Sequence, residues 1–193
     1  MGHRLGRTTC QPHTCICGVA VDAKGLHGLS SRKCSSRQIR HAQLNDIVWR
    51  AVKKAQYTAV NEPVGLSRSD GKRPDGAMLI PWTRGKPVAW NGTVPDTYAN
   101  SSIADIVTTV SAAANRAAEN KTAKYQELAR THQFAPIAIE TGGAWNEKAV
   151  EFISEVRRRI TEETKEQQET MFLFQRISVT LQRENVIASL ALC

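Results

Sequence analysis

Two short stretches decide how this chain reads: Lys72-Arg73-Pro74-Asp75-Gly76 and, a little downstream, Trp90-Asn91-Gly92-Thr93. In the first, an aspartate stands before the apolar run Gly76-Ala77-Met78-Leu79-Ile80, which has the length of a short strand. In the second, Pro87 to Val94 alternates with period two, which sets Val88, Trp90 and Val94 on one face and Asn91 and Thr93 on the other. Trp82 to Lys86 reads as the hairpin between the two strands. Strands so placed collect oxygen ligands for a hard divalent cation that activates water against phosphorus. That chemistry asks for a second carboxylate where this chain has Asn91, and a neutral amide weakens the field at the metal.

Around this pair the pattern alternates between helix and strand. Upstream, Leu44, Ile47, Val48, Ala51, Val52 and Ala55 recur at three and four, with Arg50, Lys53 and Lys54 on other faces, so an amphipathic helix runs from about Arg40. Arg40 and His41 stand at its start, where they face either phosphate or solvent. Glu62 precedes Pro63, which predicts an extended residue near a strand end and makes Glu62 a further candidate acid. Downstream, Ser101 to about Arg130 is alanine-rich and helical, and Lys121, Lys124 and Tyr125 share one face. Phe134 to Ile139 has strand length, with Glu140 at its end as another acid. Asn146 is placed to cap a helix with an apolar stripe of Ala149, Phe152, Ile153, Val156 and Ile160. Met171 to about Leu190 is a last helix, expected to pack on the sheet with Phe172 and Phe174 in the core.

Residues 1–36 differ in kind. They are rich in Gly, Ser, Arg, Cys and His and poor in large apolar side chains, so they cannot bury a core alone. Cys15, Cys17, His27 and Cys34 offer soft and imidazole ligands on turn-forming sequence, a set suited to four-coordinate zinc. A flexible basic tail with free thiols is the competing reading. Residues 37–193 then form the main domain.

Charge narrows the partners. The chain carries 26 Lys+Arg against 18 Asp+Glu, a net charge of +8, which favours polyanions such as nucleic acid. No apolar run approaches a membrane span and no signal-peptide core follows the first basic residues, so the expectation is a soluble intracellular protein with no membrane partner. No glycine-rich phosphate loop, G-x-S-x-G elbow or internal repeat is present.

In order and spacing, Cys15-x-Cys17-Gly18, His27-Gly28-Leu29, Arg40-His41 with Leu44-Asn45-Asp46, Glu62-Pro63, Lys72-Arg73-Pro74-Asp75-Gly76, Trp90-x-x-Thr93 and Lys121-x-x-Lys124-Tyr125 resemble one family. It is the restriction-like endonuclease region of non-LTR retrotransposon proteins, within the PD-(D/E)xK nuclease superfamily. The resemblance implies an α/β fold with a mixed central sheet flanked by helices, preceded by a zinc-knuckle-like segment. It implies DNA nicking with Mg²⁺ or Mn²⁺, around Glu62, Asp75 and Asn91, with Lys121 or Lys124 at the scissile phosphate. Arg40 and His41 match an Arg-His pair of the family, and with Lys72 and Arg73 are the expected DNA contacts. Further expectations are a structural Zn²⁺, DNA and RNA as partners, a nuclear location, and an upstream reverse transcriptase in a longer polyprotein.

Two positions depart from the family pattern. Asn91 stands where the family has aspartate, and Ser31 stands where it has a cysteine four residues after the histidine. The alternatives to a working nuclease are a nuclease fold that only binds DNA and a mobile-element remnant.

Overall fold

A computed structural model describes residues 8–31, 35–99 and 109–190, with the backbone alone for 167–171. It is a mixed α/β protein. A small hairpin of β1 (His13–Thr14) and β2 (Ala20–Val21) leads to a single helical turn, α1 (His27–Ser30), and then to α2 (Ser36–Lys54). The main sheet has the order β3 (Ala59–Asn61), β4 (Gly76–Met78), β5 (Val88–Thr93), β6 (Gln133–Ala138). Its first three strands are antiparallel neighbours and β6 runs parallel to β5. The parallel pair needs a crossover, which α3 (Ala112–Lys124) helps to supply; α4 (Glu147–Thr164) and α5 (Gln167–Leu190) complete the chain.

Period-two alternation divides the core between the sheet's faces. Val88, Trp90, Ile137 and Ile139 meet Leu44, Ile47, Val48 and Val52 of α2 and Phe152, Ile153 and Val156 of α4. The opposite face is lined with small residues, where Ala138 packs against Ala114 and Ala118 of α3. Trp90 is fully buried and its ring lies 6.4 Å from that of Phe152; each aromatic so buried contributes about 1.5–3 kcal/mol. Trp90 also dictates its neighbour across the ladder. A Cβ on Gly76 would lie 2.1 Å from the indole, so the residue after Asp75 can only be glycine. Pro136 is tolerated because β6 is an edge strand.

Several elements differ from the reading of the sequence. The first long helix starts at Ser36 rather than near Arg40, because the Ser36 hydroxyl donates to the Gly28 carbonyl and joins the helix to α1. Glu62 is not extended but has φ +44°, a left-handed turn ahead of Pro63. Asn146 occupies the N-cap position of α4 as expected, but its side chain makes no cap bond; its oxygen instead accepts from the Ala138 N–H at 3.0 Å and ties the helix start to β6. The last helix packs on α2 and α4 rather than on the sheet. Phe174 lies against Trp145 at 5.1 Å, whereas Phe172 is exposed and not in the core. The predicted helix over Ser101–Arg130 is α3 followed by a 3₁₀ stretch at Gln126–Arg130, and 100–108 lie outside the described residues.

The N-terminal segment docks on the far end of the chain. α1 approaches α5 so closely that a Cβ on Gly28 would stand 2.1 Å from the Ala188 carbonyl oxygen. Close backbone approach of this kind is what glycine permits.

Candidate functional site

Asp75 and Asn91 do meet. β4 and β5 pair with Gly76 opposite Trp90, and the Asp75 N–H donates to the Trp90 carbonyl, so the two polar residues sit side by side on the two inner strands of the sheet. The Asn91 amide donates to Asp75 Oδ1 at 2.9 Å. The Gly92 N–H donates to Oδ2 at 2.6 Å, and His41 Nε2 donates to the same oxygen at 2.9 Å. One buried carboxylate therefore accepts from three donors. The pairing raises the His41 pKa above its ordinary 6.5, chiefly through the hydrogen bond to Asp75, with burial and Lys121 acting against it.

This environment is built from the helix face above it. His41 and Asn45 are one turn apart on α2, and Asn45 accepts from the Trp90 indole at 2.9 Å while its amide reaches the Asp75 carbonyl at 3.4 Å. Sequence reasoning missed Asn45 as a support, although its spacing from His41 is the signal that would find it. Likewise, the Tyr125 hydroxyl donates to the Arg73 carbonyl at 2.7 Å and holds the loop before Asp75.

Beside Asp75 opens a cleft of about 480 Å³ lined by Arg37, Gln38, Arg40 and His41 of α2, the strand end Gly92-Thr93-Val94, and Lys121 of α3. Burial lowers the Lys121 pKa, and the Asp75 charge partly offsets this. α3 is held in place by Glu140, considered above as a candidate acid. It is buried and accepts from the Ala114 N–H at the first turn of α3 and from Thr97 Oγ1. Its role in the fold is to seat a helix start, where negative charge is favoured.

Other predicted site residues fall elsewhere. Glu62 points its carboxylate at Arg73 on the exposed side, and neither joins the Asp75 cluster. Lys72 and Lys124 are exposed. Arg40 is only 3% exposed, and its guanidinium donates to Asn185 Oδ1 of α5 and to the Leu29 carbonyl of α1. Arg40 thus braces the helices beneath the cleft instead of reaching out to phosphate, and burial depresses its pKa. His41, expected to face DNA, is turned onto Asp75.

Would these residues hold Mg²⁺ or Mn²⁺? Such cations take several oxygens, mainly carboxylates and water. The described cluster supplies one carboxylate already occupied by three donors, plus Asn91, whose nitrogen faces that carboxylate. Asn91 Oδ1 is buried without a hydrogen-bond partner among the described residues, a single neutral oxygen left open. This donor set does not fit a hard divalent cation.

The N-terminal cluster is different. Cys15, Cys17 and His27 bring their ligand atoms within 4.8 Å of one another and could hold a metal such as zinc. Cys17 Sγ lies 3.1 Å from His27 Nε2, and the Cys17 N–H points at Cys15 Sγ, the main reason the Cys15 thiol is pulled down to about 7. A thiol so lowered is ready to ligate as thiolate. Ser31 stands beside the cluster, its hydroxyl oxygen 3.9 Å from Cys15 Sγ, while Cys34 lies outside the described residues. Soft sulfur and imidazole donors in this number fit zinc with one position open.

Neither a protein-family model nor any curated protein matches this chain. No helix among the described residues is long and apolar enough to cross a membrane.

Proposed function

We propose that the chain is a retroelement-derived domain of restriction-endonuclease-like fold that grips DNA in the cleft between α2 and α3 and does not cut it. One observation carries this reading: the Asp75 carboxylate is satisfied by His41, Asn91 and Gly92, where a nuclease would need two carboxylates around a cation. Lys121 and Arg37 at the cleft, with exposed Lys72 and Lys124, supply phosphate contacts, in keeping with the net charge of +8. The nucleus is the compartment where such a target is met, and RNA and a reverse transcriptase are the further partners this origin implies.

Supercoiled-plasmid nicking in Mg²⁺ and in Mn²⁺ tests the proposal, run on the chain as given, on Asn91→Asp and on Asp75→Asn, alongside duplex binding at several salt concentrations. The expected result is salt-sensitive binding by all three and nicking only by Asn91→Asp. Nicking by the unaltered chain that Asp75→Asn abolishes would make it a working nuclease. Absence of duplex binding at low salt would end the DNA reading altogether.

A further inference from the structure

The outer face of α5 has no partner among the described residues, and its pattern is specific. Phe172, Arg176, Val179, Arg183, Val186 and Leu190 are all exposed, at successive spacings of four, three, four, three and four. That is the 3.5-residue repeat of a two-helix seam, distinct from the buried row Leu173, Ile177, Leu181 and Ala188 on the opposite side of the same helix. The apolar members, Phe172, Val179, Val186 and Leu190, are 46–67% exposed, with Arg176 and Arg183 set between them.

Charge selects the occupant. The seam alternates apolar residues with two arginines, and at its Phe172 end it opens into a groove of about 230 Å³ floored by Ile47, Ala51, Ile160 and Leu173 and rimmed by Arg50, Lys54 and Arg176. The only acidic residue between Phe172 and Leu190 is Glu184, which is buried. Laid in register on this face, a second copy would therefore bring no exposed carboxylate from its own Phe172–Leu190 stretch to Arg176 or Arg183. In parallel register it would set arginine against arginine. We propose that this face of α5 docks an acidic amphipathic helix of another protein, with apolar residues in heptad register and carboxylates opposite Arg176 and Arg183.

The probe is a fluorescein-labelled 21-residue designed helix, with leucine opposite the apolar seam positions and glutamate opposite Arg176 and Arg183, titrated with the full chain by anisotropy. A large excess of duplex DNA is present throughout to occupy the cleft. The expected result is saturable binding, at least tenfold stronger than for a peptide of the same composition in scrambled order. Arg176→Glu/Arg183→Glu should weaken it at least tenfold and should gain binding of the same helix with lysine in place of glutamate, a gain that misfolding cannot produce. Equal binding of the scrambled peptide, binding that appears only when the duplex is left out, or indifference to the charge reversal would overturn the proposal. So would a concentration-dependent dimer in sedimentation that Val179→Asp abolishes, because the occupant would then be a second copy.

Discussion

The protein has two pockets with the residues of a metal site, and they solve their electrostatics in opposite ways. In the N-terminal pocket, Cys15, Cys17 and His27 crowd three electron-pair donors together, with Ser31 alongside. Such a set is completed by a cation. In the pocket between β4 and β5, one acceptor, Asp75, is ringed by the N–H groups of Asn91, Gly92 and His41. The hydrogens do there what a cation would do. The difference teaches that residue type alone does not define a metal site, since a carboxylate supplied with enough internal donors already has its hydrogen-bonding capacity filled.

The largest contrast should therefore be the response to metal. Zinc in thousand-fold excess over its dissociation constant should stabilise the chain by about 4 kcal/mol if the unfolded state does not bind it. The gain should reach α5 through the docking of α1, and a chelator should remove it. Millimolar Mg²⁺ should leave the melting temperature unchanged. Ser31→Cys sharpens the test, because a fourth thiolate should tighten zinc at least tenfold, about 1.4 kcal/mol. Thermal melts with zinc, magnesium and chelator measure this, and a chain indifferent to zinc breaks the comparison.

Next in size is loss of the acceptor. Asp75→Ala strands the Asn91 amide and the Gly92 N–H in a buried setting and leaves His41 without its anion, which should cost about 3 kcal/mol. Urea unfolding reads it, and a loss below about 1 kcal/mol would mean that water replaces the carboxylate without difficulty.

How far the sequence foretold all this depended on whether the interaction was local. Helix stripes such as Ala149 to Ile160 and the alternation of Val88 and Trp90 were legible because each is written within one element. The meeting of Asp75 and Asn91 was legible too, since adjacent strands joined by one hairpin leave little freedom of register. The donors around Asp75 were not, because His41 and Asn45 arrive from a helix 34 and 30 residues away in sequence. Arg40 misled for a physical reason: an arginine beginning a basic helix is normally solvated, and only the packing of α1 and α5 across it shows that its guanidinium is internal. Glu62 misled because a proline restricts the residue before it without fixing which way its side chain points.

Asn91→Asp reverses the logic of the Asp75 pocket with a single oxygen. Two carboxylates would then face each other where the amide now donates at 2.9 Å, and like charges at that distance cannot both stay ionised without a cation. At pH 8 in chelator the variant should lose about 2 kcal/mol, and Mn²⁺ should restore most of it. Its stability should also recover on acidification, as the pair comes to share a proton. Metal-independent stability equal to that of the unaltered chain would show that the pocket is more open to water than its burial indicates.

The smallest effect concerns the ion pair alone. His41 has a folded pKa raised above 6.5, so the folded state holds its proton more tightly than the unfolded chain does. The stabilisation is complete below the unfolded value of about 6.5 and disappears as pH rises through the higher folded value. With the His41 side chain 41% exposed, solvent screens the pair and the gain is modest. An NMR titration of the His41 ring should give an inflection above 6.5, and melts of His41→Gln in chelator should show a shallower dependence on pH across that window. Glutamine can still donate to Asp75 Oδ2, so the substitution removes the titrating charge while keeping the hydrogen bond. An imidazole that titrates at or below 6.5 would mean that solvent, and not Asp75, dominates its surroundings, and the internal hydrogen bonding of the acid would then rest on Asn91 and Gly92 alone.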